Sequence, residues 1–200
     1  MSQSPIVLAI TGASGLAYGQ RLLQVLLESQ IEVHLTISDS ARVVAQHELN
    51  LTLDLKQFEV DQFLPGHASG GTLVYHHYKD FMTPIASGSF KTRGMIVCPC
   101  SGGTMSGIAT AASRNLIQRA ADVHLKENRP LVLVPRETPL SLIQIDNMRT
   151  ACAAGATILP ASPGFYQETG AVSDLVDFIV ARILDQFDIE HDLVGRWGVE

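Results

Sequence analysis

Two rhythms of apolar positions run along the chain: short unbroken apolar runs, and stretches with an apolar residue every three or four positions. The first run, residues 6–10, has the signature of a strand buried on both faces. After Thr11-Gly12-Ala13-Ser14-Gly15 come Leu16, Gly19, Leu22, Leu23, Leu26 and Leu27, the stripe of an amphipathic helix. The same succession recurs. A strand is predicted over 31–38, then a helix over about 41–49. Residues 50–72 lack a period and read as loop, 73–78 as a further strand, and 84–89 (PIASGS) as a small polar loop. A buried strand over 94–98 leads into a helix of small residues ending near Ala112, followed by a helix over 116–127 and a strand over 130–134. The next helix carries Leu142, Ile145, Met148 and Cys152 on one face, with Gly155 as its C-cap. A last strand over 156–159 precedes a helix from Ser173, with Asp174 and Asp177 in its first turn, where carboxylates suit the helix dipole.

Strands alternating with helices predict an α/β fold: a three-layer, Rossmann-like or flavodoxin-like parallel sheet with helices on both faces, spanning residues 1–200 as a single domain. In such sheets ligands bind beyond the carboxyl ends of the strands. Nearly every predicted strand here ends in a distinctive cluster: TGASG, SDS, PCSGGT, PRE and PASPGFY. That shared bias predicts a ligand crevice. The free N–H groups expected at the start of the first helix suit an anion, most often a phosphate, with Ser14 as N-cap. A tight turn without a ligand is the alternative.

Composition narrows the setting. A net charge of -6 argues against a nucleic-acid surface. No apolar run is long enough to span a bilayer, and the N-terminus lacks the pattern of a secretory signal. Three cysteines, Cys98, Cys100 and Cys152, build no disulfide framework, and a reducing cytoplasm is the simplest location.

Several residues admit two roles. Ser101-Gly102-Gly103-Thr104 is either a second anion cradle or a plain N-cap. Arg136 and Glu137 either face the crevice or form a surface ion pair. Arg119, Lys126 and Arg129 either solvate a helix or supply scarce positive charge. Tyr166 either stacks on a ring or packs, Arg182 either complements a helix end or binds, and Trp197 in a polar tail docks on something, another subunit included. Two patterns are rejected. Tyr75 and Lys79 have the Tyr-x-x-x-Lys spacing of short-chain dehydrogenases but fall in a strand-like segment. His76 and His77 are adjacent, so in a strand they point to opposite faces and cannot share a metal. The chemistry reads as metal-free.

Taken in order, TGASG, Ser38, ASGS at 86–89, PCSGGT at 99–104, RAADVHLKENRPLVLVPRETPL at 119–140, PGFY at 163–166, ARILDQF and RWG resemble the flavin prenyltransferases. These are the UbiX-like enzymes of the flavodoxin-like cysteine-decarboxylase superfamily. The resemblance implies that dimethylallyl monophosphate alkylates reduced FMN at N5 and closes onto C6, making prenylated FMN for UbiD-like decarboxylases. It further implies that Gly12, Ala13, Ser14, Ser38, Ser101 to Thr104 and Arg136 contact FMN. Lys126, Glu137, Tyr166 and Arg182 would hold the prenyl phosphate with support from Arg119, while Ser87 and Trp197 line the site and Ser14 and Glu48 handle protons. Homododecamers with sites between subunits are implied too. A phosphopantothenoylcysteine-type decarboxylase is the rival, disfavoured because Pro84 to Ser89 lacks the asparagine of its Pro-Ala-Ser-Ala-Asn-Thr-like motif. A non-catalytic FMN-binding protein is a further alternative.

Overall fold

Strand β1 (Ile6–Ile10) is buried along its whole length, as an unbroken apolar run requires. It is the axis of a parallel sheet with strand order β3-β2-β1-β4-β5-β6. The other strands are β2 (Val33–Ile37), β3 (Leu73–Tyr75), β4 (Gly94–Cys100), β5 (Leu131–Pro135) and β6 (Thr157–Ile158). The helices are α1 (Leu16–Glu28), α2 (Asp39–Glu48), α3 (Gly102–Ala109), α4 (Leu116–Lys126), α5 (Leu142–Ala153) and α6 (Val172–Asp185). This computed structural model describes residues 4–66, 70–165 and 170–195.

Alternation along β1 sorts the core into two layers. Ile6, Leu8 and Ile10 pack with α1 and α6, whereas Val7 and Ala9 pack with residues of α3 and α4. Gly19 explains how α1 lies so close to the sheet, since a Cβ there would stand 2.4 Å from the Cys98 carbonyl oxygen. From β1 the chain builds outward through β2 to β3, then returns to the other side of β1 as β4. The order therefore reverses between β1 and β4, and a crevice opens beyond their carboxyl ends.

Two expectations need correction. The predicted strand over 73–78 is shorter, ending at Tyr75; the His76 N–H still donates to the Leu35 carbonyl at 2.8 Å, and its side chain meets His34. The apolar stripe of α5 faces the core only in part, through Met148. Of that helix only Ala151 is buried, while Leu142 is 72% and Ile143 75% exposed. Met148 of the stripe packs against the core on the α3 and α4 side, whereas no described residue buries Leu142 or Ile145. The end of α5 is as expected: Gly155 adopts φ 110°, its N–H donates to the Cys152 carbonyl and that of Ala156 to Ala151, a Schellman closure.

Candidate active site

At the reversal point the turns after β1 and β4 are stitched together by Thr11. Its buried hydroxyl donates to the Pro99 carbonyl at 2.8 Å and accepts from the Ser101 N–H at 2.8 Å. Nothing in the sequence pattern marked Thr11 apart from its place at the end of an apolar run. Beside it lies a cavity of about 480 Å³, within the size range of small-molecule sites. It is lined by the first turn (Gly12, Ala13, Ser14), the second (Ser101, Gly102, Gly103) and the residues after β5 (Arg136, Glu137). Larger hollows of about 720 and 610 Å³ lie between α1 and α6 and beside α2. The first is walled by the self-satisfied Arg21–Asp177 pair at 2.7 Å and the second lies outboard of α2, so neither gathers the glycine turns.

The two turns differ in what they offer. Ser14 is not the N-cap of α1. That position is Gly15, in the left-handed region at φ 99° and without a side-chain cap. The helix N-terminus is filled from within: the Glu48 carboxylate accepts the Gly15 N–H at 2.9 Å and the Leu16 N–H at 3.0 Å. Burial raises the Glu48 pKa, but hydrogen bonds from Ser14, Leu16 and Gly15 and the charge of Arg136 outweigh it, and the net shift is downward. Glu48 is therefore an anion at neutral pH. The expectation of a free anion slot at the start of α1 is corrected, because Glu48 already occupies it.

The second turn is open. Ser101 is the N-cap of α3, its hydroxyl accepting the Thr104 N–H at 3.4 Å and donating to the Thr104 hydroxyl at 3.1 Å. A Cβ on Gly103 would meet nothing within 4 Å, so the first turn of α3 faces the cavity. Arg136 donates to the Ser14 carbonyl at 3.1 Å, which sets its guanidinium on the cavity wall. Glu137 is oriented by the Thr138 N–H at 3.1 Å and the Gln144 amide at 3.4 Å. Ser38 caps α2 and touches Ser40 at 3.0 Å, and a Cβ on Gly12 would lie 2.5 Å from Ser40, so Ser38 borders the same rim. The sequence reading missed Ser40, Gln144 and Asn147, which also belong to this neighbourhood.

The remaining candidates sit elsewhere in the chain. Lys126 ends α4 and pairs with Glu127 at 2.7 Å beside Gly88. It precedes β5, whereas Arg136 follows that strand, and five residues of strand separate the two by about 15–20 Å. Arg119 donates to the Ala86 carbonyl at 3.1 Å and pairs with Asp122 at 3.2 Å. Ser87 lies in the adjoining loop, its hydroxyl 2.9 Å from that of Ser89. Arg182 pairs with Asp185 at 2.7 Å near the end of α6, which packs on the opposite face of the sheet. One chain thus holds a rim group and two groups away from it. Tyr166 and Trp197 lie outside the described residues. Among the described residues, no three His, Cys, Asp or Glu side chains are grouped to hold a metal, and no helix is long and apolar enough to cross a membrane.

A parallel sheet with an open glycine turn at its reversal point defines a nucleotide- or flavin-binding protein, and residues 1–184 match the model of the Flavoprotein family. The flavin prenyltransferase UbiX of Pseudomonas aeruginosa is 50% identical over 195 residues, covering 96% of this chain and 93% of its own. That of Halalkalibacterium halodurans is 49% identical over 191 residues, covering 96% and 92%. The chain belongs to the flavin prenyltransferase family of flavoproteins. Among solved structures it is similar to AnUbiX (PadA1) in complex with FMN and dimethylallyl pyrophosphate, with TM-score 0.86, 38% identity and 99% of each chain covered. It is similar also to a dodecameric FMN-dependent UbiX-like decarboxylase from Escherichia coli, with TM-score 0.84, 39% identity, and 98% and 100% covered. The peptidyl-cysteine decarboxylase EpiD shares the fold alone, at 15% identity and TM-score 0.53, covering 89% of this chain and 99% of its own.

Proposed function

We propose that this enzyme transfers a dimethylallyl group from dimethylallyl monophosphate to N5 of reduced FMN and closes the new ring at C6. The observation that carries the reading is the rim cavity, where the open turn of α3 meets Arg136 and Glu137. Gly12, Ala13, Ser14, Ser38 and Ser101 to Thr104 hold FMN there with Arg136, and Ser87 lines the flavin. The cavity fits such a group: Gly103 leaves space, the lining includes the first turn of α3, and Arg136 supplies fixed positive charge.

In the transfer the allylic C–O bond breaks, a C–N bond forms, phosphate departs and the nitrogen loses a proton. In the closure the prenyl double bond takes up a proton, its tertiary carbon bonds to C6, and C6 gives up its proton. Lys126, Arg136 and Arg182, with Arg119, Glu137 and Tyr166, hold the phosphate as its charge grows, which is where fixed cations act most strongly. Trp197 and Tyr166 shield the allylic carbon with their π faces. Ser14 passes the released proton to Glu48. The low pKa of Glu48 makes it a resting acceptor rather than a strong base.

Lys126 and Arg182 cannot join Arg136 around one phosphate within a single chain, which supports a site shared between subunits of a homododecamer. The exposed apolar side chains of α5, Leu142, Ile143 and Ile145, with Ile143 on the cavity wall, support the same assembly. The prenylated flavin then serves a UbiD-like decarboxylase, in the cytoplasm. The alternative of a cysteine-type decarboxylase rests on likeness of fold alone. Incubated without oxygen with reduced FMN and dimethylallyl monophosphate, the enzyme yields a flavin heavier by one prenyl group. Flavin of unchanged mass would refute the reading.

A further inference from the structure

The loop that carries Ser87 is held at alternate carbonyls by a residue so far without a role. Arg129, whose side chain is only 15% exposed, donates through one terminal nitrogen to the Phe90 carbonyl at 2.6 Å and through the other to the Gly88 carbonyl at 2.5 Å. Its planar fork thereby satisfies two backbone acceptors that bracket Ser89. Arg119 adds the third carbonyl of the alternation, Ala86, at 3.1 Å. The loop's far end is tied as well: the Thr92 hydroxyl meets His124 Nε2 at 2.8 Å, while His124 Nδ1 lies 2.7 Å from the Ala120 carbonyl. With the carbonyls of residues 86, 88 and 90 committed to α4 and the segment behind it, Ser87 and Ser89 are left to bond each other at 2.9 Å.

We propose that Arg129 is a positioning residue for the prenyl transfer: its bidentate grip on Gly88 and Phe90 fixes where the Ser87 hydroxyl stands. The inference rests on the proposed function, through the place of Ser87 in the site. A guanidinium is needed because two acceptors in fixed geometry match a rigid fork, and a lysine ammonium is a single centre on a flexible stem. A small displacement of the serine is enough to matter, since misplacing a positioning group by about 1 Å costs up to about a hundredfold in rate.

The test is a double-mutant cycle on the full-length enzyme, with FMN affinity measured alongside prenyl-transfer kinetics. Arg129→Lys lowers kcat about tenfold to a hundredfold, with the FMN dissociation constant within about twofold of the wild type. Ser87→Ala lowers kcat on its own, and adding it to Arg129→Lys costs little more, because the second change removes a group already displaced. Thr92→Val, which unties the other end of the loop, keeps the test available should Arg129→Lys fail to fold. It lowers kcat by a smaller factor, again only while Ser87 is present. Multiplicative effects of Arg129→Lys and Ser87→Ala, or of Thr92→Val and Ser87→Ala, would overturn the positioning role. So would an Arg129→Lys enzyme that is less stable yet unchanged in kcat. A wild-type enzyme that leaves FMN unprenylated would instead overturn the underlying reading, and this role with it.

Discussion

The turns after β1 and β4 look alike as strings, TGASG and SGGT, and both line the cavity, yet the helix starts that follow them are used differently. The first has its helix N-terminus filled by the Glu48 carboxylate, whereas the second leaves Gly103 facing a cavity. A glycine-rich turn at a helix start is a capacity for binding an anion. Whether a ligand or the protein's own side chain uses it is decided by what the rest of the fold brings there.

The sharpest way to break this contrast is to fill the open turn. Gly103→Val places a side chain in the cavity and weakens FMN binding about tenfold to a hundredfold, the equivalent of 1–3 kcal/mol. Flavin-fluorescence titration reads the change, and unaltered affinity would mean that the flavin sits elsewhere. Gly19→Ala probes the closeness of α1 to β4 beneath both turns. Its Cβ would press on a backbone oxygen that cannot swing aside, so denaturant unfolding loses about 1–3 kcal/mol.

Acid sensitivity belongs to the half of the sheet away from the cavity. His34 Nδ1 and His76 Nε2 stand 2.8 Å apart, and His34 Nε2 is 3.0 Å from Glu32. Burial, then the neighbouring His34, pushes the His76 pKa down to about 4, against a pull upward from Asp80. A depressed histidine gives stability that is complete above its unfolded value of 6.5 and is lost as pH falls toward 4. Between pH 7 and 5 that loss is about 1–2 kcal/mol. Thermal unfolding of His76→Phe has a shallower acid slope, and an unchanged slope would exonerate the pair. The smallest effect on stability and binding is that of Glu48→Gln, about 1 kcal/mol from the weakened hold on the α1 N-terminus with FMN affinity nearly unchanged, while turnover falls because the proton acceptor is lost. A large loss of flavin there would erase the distinction between the turns.

The sheet and its rim were legible because their signals are local. Apolar runs such as residues 6–10 and 94–98 are followed within two or three residues by glycine or serine, and β4 differs from expectation only by continuing to Cys100. What stayed hidden depends on contacts distant in sequence. By pattern Glu48 is one more polar residue on α2, singled out only by the family resemblance, and its hold on the α1 N-terminus is made 32 and 33 residues away. Arg129 stays open between helix solvation and scarce positive charge because its acceptors are backbone carbonyls, which leave no trace in side-chain pattern. The stripe on α5 was visible as a stripe, but periodicity does not say whether the covering surface belongs to the same chain.

The central claim is that the rim of one subunit and the Lys126 end of α4 in another complete a single site. Lys126→Ala and Arg136→Ala enzymes are each expected to be nearly inactive. Co-assembled from mixed subunits, they should regain a substantial fraction of prenyl transfer, because some interfaces then pair an intact Lys126 with an intact Arg136. If the mixture stays as inactive as either parent while mixed oligomers demonstrably form, the site does not draw these residues from different chains.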